Sequence, residues 1–227
     1  MNDPATAPRA GPARTAASAG TLIDISPLVS ARTAVFPGDT AFERRTLMHV
    51  DDGHHISLSA ISTTVHLGAH ADAPIHYGKG GRTLEEQPLD LYVGPCRVVR
   101  VAGARGRAVT AADLAGKVPF GTERVVIATG SFPDPERWND DFASIDPDLV
   151  GWLATRGVRL VAVDTPSVDQ ATSKDLPAHA AFLAHDVSII EGVRLEGVAE
   201  GEYELIALPL HLEGADASPV RAVLRPR

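Results

Sequence analysis

An α/β fold in one domain is predicted by three features of the sequence. Apolar runs of strand length recur at Cys96–Val101 (CRVVRV), Arg124–Thr129 (RVVIAT) and Val158–Val163 (VRLVAV), and runs of this kind read as buried strands. Three helical patterns with capping residues are interleaved with them, which argues for α/β or α+β organisation. The length, 227 residues, suits one compact domain with a tail.

Residues 1–20, MNDPATAPRAGPARTAASAG, are rich in Ala, Pro, Gly and Thr. They lack the continuous apolar centre of a secretory signal, and Asp3 and the prolines spoil an amphipathic transit helix. A disordered N-terminal tail is expected there, followed by a single domain over 21–227 in a cytoplasmic protein. Leu22–Ile25 is a short apolar segment stopped by Pro27. Val35-Phe36-Pro37-Gly38-Asp39 is turn chemistry. Ile56 to Val65 is rich in Ile, Ser and Thr and reads as extended. A histidine-rich stretch broken by Gly68 and Pro74 comes next, then the loop residues Lys79-Gly80-Gly81.

After the CRVVRV strand, Thr110 is placed to cap a short helix over Ala111–Lys117. Beyond RVVIAT, Asp146 and Pro147 form an N-cap and first helical residue. Leu149, Val150 and Leu153 fall at helical spacing, and Gly157 stands where a C-capping glycine belongs. Ala178–Ala184 reads as helical, Val187–Ile190 as extended, and Tyr203–Leu210 (YELIALPL) as a late strand. No internal repeat is present.

The composition excludes several functions. Cys96 is the single cysteine, so neither an intramolecular disulfide nor a Cys-ligated zinc site is available, and Cys96 itself reads as a packed apolar residue. The formal net charge is −8 with no long Lys/Arg run, which argues against nucleic acid or an anionic membrane as partner. No stretch approaches the ~18 apolar residues of a membrane span.

The informative segment is His66-Leu67-Gly68-Ala69-His70-Ala71-Asp72-Ala73-Pro74-Ile75-His76. Gly68 and Pro74 disfavour a helix. In an extended or gently curved chain alternate residues share a face, so His66, His70, Asp72 and His76 all aim one way, with Pro74 ending any ladder and turning the chain before His76. Neutral imidazole and carboxylate suit Zn²⁺, Mn²⁺ and similar ions. The two oxygens of Asp72 can bridge a metal pair, an arrangement suited to hydrolysing an amide or ester. A metal-binding protein without turnover would retain His66, His70 and Asp72 but would not need His76.

HLGAHADAPIH resembles the hallmark His-x-Gly-Thr-His-x-Asp-x-Pro-x-His of the cyclase-like metal hydrolases, departing from it at Ala69. The Gly-Ala-His-Ala-Asp-Ala-Pro form is similar to the kynurenine formamidase branch. DISPLVSARTAVFPGDT, GPCRVV, VDTPSVDQATSKDLPAH and YELIALPL…DASPVRAVL extend that resemblance over about residues 22–225.

The resemblance implies a mixed-sheet core of the swivelling β/β/α type and two zinc ions per subunit, with Mn²⁺ or Cd²⁺ as substitutes. His66, His70 and Asp72 would hold the first ion. Asp72, His179 and Glu191 would hold the second. His76 would be the catalytic acid/base, and Phe36 would take the place of a Trp that the family sets against the substrate's ring. The implied reaction turns N-formyl-L-kynurenine into L-kynurenine and formate, a step of tryptophan degradation. The implied assembly is a homodimer, with the Phe36 loop reaching toward the neighbour's pocket. A sister hydrolase, for instance one opening the cyclic amide isatin, would carry the same metal motif. No Gly-x-Ser-x-Gly elbow offers a serine-based route. Asp164-Thr165-Pro166-Ser167 reads equally as pocket lining or as a turn. His49, His54, His55, His185 and His211 read as structural.

Overall fold

The computed structural model describes residues 21–227, so the tail expected over 1–20 lies outside the described residues. In chain order come β1 (Ile23–Asp24), β2 (Glu43–Met48), β3 (Leu58–Ser62), β4 (His70–Asp72) and the one-turn helix α1 (Pro74–Tyr77). Then follow β5 (Val93–Arg100), β6 (Ala108–Val109), α2 (Ala111–Leu114), β7 (Arg124–Ala128), β8 (Ser144–Ile145), α3 (Pro147–Ala154) and β9 (Leu160–Val163). The chain closes with α4 (Pro177–Ala184), β10 (Ser188–Glu191), β11 (Gly201–Ile206), β12 (Ala217–Pro219) and β13 (Val223–Pro226).

Among the described residues the main sheet is mixed and nine-stranded, in the order β1-β13-β11-β5-β7-β9-β10-β4-β12. Its centre, β5-β7-β9-β10, is parallel. β5, β7 and β9 contain the apolar runs of the sequence, and parallel strands read that way because both their faces are covered. Alternation divides them between two cores. Val98, Val126, Ala162 and Ile190 pack with Ile25, Leu205 and Leu224. Val99, Val125, Ile127, Val161 and Ile189 face Leu149, Val150 and Leu153 of α3 and Phe182 of α4. Each such side chain contributes roughly 1.5–3 kcal/mol on burial. Cys96 is buried in the first core, as expected for a packed apolar residue.

The caps follow the sequence reading. The Asp146 carboxylate accepts the Asp148 N–H at 2.9 Å beside Pro147, and Gly157 takes φ +92 just beyond α3. Thr110 and Asp113 form a reciprocal capping box on α2. That helix stops at Leu114 rather than Lys117, because Ala115 leaves helical geometry and Gly116 turns left-handed.

Two expectations are corrected. The extended part of the stretch from His66 to His76 is shorter than expected, covering His70–Asp72 alone, and the turn expected at Pro74 is helix α1, which carries His76. The late strand ends at Ile206 rather than Leu210, with Pro209 making only an isolated bridge to Val220. The sequence reading also left out β2, which pairs with β3 in a separate two-stranded ribbon.

Strands β4 and β10 are antiparallel, with His70 opposite Glu191 and Asp72 opposite Ile189. Just outside the pairing the two chains nearly touch. A Cβ on Gly192 (φ +68) would lie 2.0 Å from the Gly68 carbonyl oxygen, so a backbone approach that only glycine permits sets the seam. Gly192→Ala is therefore expected to cost about 2–4 kcal/mol and to lower the thermal midpoint by about 5–15 °C. Gly38 is also left-handed but has nothing within 4 Å of its missing Cβ, and Gly38→Ala should cost only about 1 kcal/mol. Scanning calorimetry of the two variants checks the contrast.

Candidate metal centre

The seam between β4 and β10 gathers most of the residues that the histidine motif singles out. Ala71 and Ile190 point into the first core. By alternation His70, Asp72 and Glu191 therefore share the opposite face, where α4 brings His179. Asp72 Oδ1 lies 3.1 Å from His66 Nδ1 and 3.5 Å from His70 Nε2. Its other oxygen, Oδ2, lies 3.6 Å from His179 Nε2. Glu191 spans the gap, with Oε2 3.3 Å from His70 Nε2 and Oε1 3.7 Å from His179 Nε2.

The outer nitrogens fix the tautomers. His70 Nδ1 is 3.0 Å from the Gly68 carbonyl, so Nδ1 carries the proton and Nε2 points a lone pair inward. His179 Nδ1 donates to Asp169 Oδ2 at 2.7 Å, which likewise leaves Nε2 as the inward acceptor. Asp169 also accepts the Ala178 and His179 N–H groups and thereby locks the start of α4. A carboxylate behind a histidine is the usual support of a metal-ligating imidazole. His66 turns Nε2 to Asp216 Oδ2 at 3.0 Å. His76 Nδ1 lies 3.3 Å from the same oxygen.

Both Asp72 oxygens and His70 Nε2 are buried without a hydrogen-bond partner among the described residues. Unpaired buried polar atoms are costly, and here acceptors converge on acceptors. That cluster fits a divalent cation of the kind imidazole and carboxylate prefer. The protonation behaviour points the same way. Burial pulls the imidazoles of His66 and His179 down, but Asp72 and Asp216 raise His66 to about 9, and Asp169 and Asp72 raise His179 to about 10. Burial raises the Asp72 carboxyl, and His179 and His66 outweigh it, leaving it well below the usual range. The cluster therefore calls for positive charge.

Two sets of donor atoms lie within 4.8 Å of one another: His66, Asp72 and His76, and His70, Asp72 and Glu191. The first includes His76, which the sequence reading kept as an acid/base rather than a ligand. His76 is also the more accessible group, with a third of its side chain exposed.

The centre opens into a cavity of about 810 Å³ that Phe36 also lines. The Phe36 ring meets Trp138 edge-on at 5.3 Å, and Trp138 meets Phe132 at 5.8 Å. Arg100, Gly130, Asp164 and Gly192 line it as well. Each stands at or just past the carboxyl end of a parallel strand, where ligands of open α/β sheets bind. Asp164 satisfies both of its readings: it lines the cavity and accepts the Thr129 and Gly130 N–H groups. Its burial raises the carboxyl despite those bonds. Sequence reasoning missed Asp169, Asp216 and Trp138. Asp169 and Asp216 both stood inside recognised segments, but Asp216 meets His66 across 150 residues, a pairing that no local signal announces.

Residues 23–170 match the cyclase family. The chain is 45% identical over 204 residues to a kynurenine formamidase of Bordetella pertussis, covering 90% of this chain and 97% of that protein. For the Bordetella avium kynurenine formamidase the identity is 43% over the same shares. A solved structure described as a potential metal-dependent hydrolase with cyclase activity matches with a TM-score of 0.79 at 29% identity, over 91% of this chain and 98% of that one. An isatin hydrolase bound to thioisatinate shares the fold, with a TM-score of 0.77 at 19% identity over 91% of this chain and 92% of that one.

If Asp169 orients His179 toward a cation, Asp169→Asn should weaken zinc affinity about 10–100-fold. Competition against a chromophoric chelator measures this, and unchanged affinity would remove His179 from the ligand set.

Proposed function

This chain belongs to the cyclase family, and from that premise we propose that it hydrolyses N-formyl-L-kynurenine to L-kynurenine and formate in tryptophan degradation. The observation that carries the reading is the division of Asp72, with one oxygen facing His66 and His70 and the other facing His179. A bridging carboxylate would be divided in this way. His66, His70 and Asp72 would hold one Zn²⁺, and Asp72, His179 and Glu191 a second, with Mn²⁺ or Cd²⁺ as substitutes. When bound, the metal pair lowers the pKa of water toward neutrality and polarises the formyl carbonyl.

The chain's own residues supply the rest. Burial, although Asp72 opposes it, holds the His76 imidazole below its ordinary value. It is therefore neutral at pH 7 and free to take a proton from water. As the formyl carbon gains its new C–O bond and the C–N bond breaks, His76 passes that proton to the departing arylamine nitrogen. Asp216, accepting at His76 Nδ1, orients the ring and leaves Nε2 for the transfer. Phe36, backed by Trp138, packs against the aryl ring.

The proposed assembly is a homodimer, supported by the β2–β3 ribbon. Leu47, Leu58 and Ile61 are exposed on it, and a lone two-stranded ribbon is marginal in water, so a second copy is the proposed cover. No helix among the described residues is long and apolar enough to cross a membrane, and the proposed location is the cytoplasm. Light scattering should give twice the chain mass, and Ile61→Asp should shift it toward the monomer.

Chelator-stripped enzyme should lose N-formyl-L-kynurenine hydrolysis and regain it near two zinc ions per chain. In the same titration His76→Ala should bind both ions yet show kcat reduced about 10²–10⁴-fold. Activity surviving complete stripping would reject the metal chemistry, and loss of metal from the variant would make His76 a ligand.

A further inference from the structure

We propose that Arg194 and Glu196 form a subsite for a free α-amino-acid group, Arg194 taking its carboxylate and Glu196 its ammonium; this rests on the arylformamide reading above. Both residues line the cavity that contains the candidate metal centre. Arg100 lines it too, but its Nη2 donates to the Leu195 and Val198 backbone carbonyls. Those bonds hold the loop that carries Glu196. Arg194 makes a single ion pair among the described residues, Nη2 to Glu196 Oε2 at 3.0 Å, and 41% of its side chain is exposed. A guanidinium has five N–H donors in a planar fork, so most of them are left to grip a carboxylate in a bidentate manner.

The backbone beneath this pair is fixed. The N–H groups of Gly192, Val193 and Arg194 donate to Thr165, Val163 and Ile25 in turn, at 2.8, 3.2 and 2.6 Å. Arg194 is therefore presented from an ordered base, which reduces the entropy lost on binding. It stands three residues after Glu191, a backbone reach of at most about 10 Å. That reach spans an aryl group whose formamide sits at the metals and whose side chain ends in a zwitterion. Of the other carboxylates lining the cavity, Asp164 accepts the Thr129 and Gly130 N–H groups and Asp39 accepts the Thr40 N–H. A zwitterion lying antiparallel to the Arg194–Glu196 pair satisfies both charges at once, whereas an arylformamide without the tail gains nothing from them.

The test uses the zinc-loaded enzyme with N-formyl-L-kynurenine and with 2-formamidoacetophenone, the same arylformamide lacking the amino-acid tail. Wild type should prefer the tailed substrate at least about tenfold in kcat/KM. Arg194→Gln should erase most of that preference by raising KM for the tailed substrate about 10–100-fold while kcat moves little. Arg194→Lys should restore part of it, since charge without the fork is retained. Glu196→Gln, at a well-exposed position, should give a smaller loss in the same direction. Calorimetric binding of L-kynurenine, the product that keeps the tail, should weaken in parallel. Equal loss on both substrates, or an unchanged preference, would overturn the subsite. Wild type that hydrolyses both substrates equally well would overturn the subsite and leave arylformamide hydrolysis standing. Wild type that hydrolyses neither would overturn both.

Discussion

The buried carboxylate of Asp72 is the charge around which the rest of the molecule is arranged. An ionised carboxylate inside an apolar sheet costs several kcal/mol unless opposite charge and directed contacts offset it. Here the offset comes from three directions in the chain. His66 arrives from the loop before β4 and His70 from the strand itself. His179 comes from α4, while Glu191 on the neighbouring strand adds a second carboxylate that His70 and His179 also face. Antiparallel pairing of β4 with β10 puts Glu191 beside His70, and pairing with β12 flanks Asp72 on its other side. The antiparallel edge added to a parallel sheet thus has a chemical consequence, because it brings a second row of side chains to the carboxyl ends of the central strands.

The parts of this arrangement that were legible in the sequence are those set by neighbours along the chain. The strands β5, β7 and β9 could be read because burial on both faces leaves an uninterrupted apolar run. Helix α3 could be read because Asp146, Pro147 and Gly157 each do a local job. The histidine motif was legible as a candidate ligand set because His70 and Asp72 alternate in a strand. The detail differs at His76, where the turn at Pro74 is the start of a helix. The side chain still reaches the centre, lying with its ring 4.2 Å from that of His66, so the difference in local geometry left the constellation intact.

What was not legible depends on distant pairing. β2, with sequence ERRTLM, has no apolar period, and both its faces are largely exposed; its hydrogen bonds to β3 are the reason it is a strand. Asp169 became significant only once α4 carried His179 back against it. Asp216 serves His66 and His76 together, a role that no window of sequence contains. Of the expected ligands, His179 and Glu191 rested on resemblance alone, since a single His before an apolar helix and a single Glu at a strand end are ordinary features. The tertiary structure adds the physical reason for them, a shared acceptor cluster with unsatisfied atoms at its centre.

The same construction divides the site into a fixed part and a variable part. The seam between β4 and β10 is fixed by backbone pairing and by the contact between Gly68 and Gly192, so it tolerates little change. The cavity wall is drawn from loops, including the segment around Phe36, the stretch holding Phe132 and Trp138, and the residues after Gly192. Loops accept substitution without disturbing the sheet. An isatin hydrolase at 19% identity retains the fold, so conservation of the fold alone does not fix which amide enters. Selectivity must then lie in groups that touch the substrate away from its reacting carbon. In this chain those groups are an aromatic wall and an Arg–Glu pair, which together suit an aryl ring ending in a charged tail better than a compact cyclic amide.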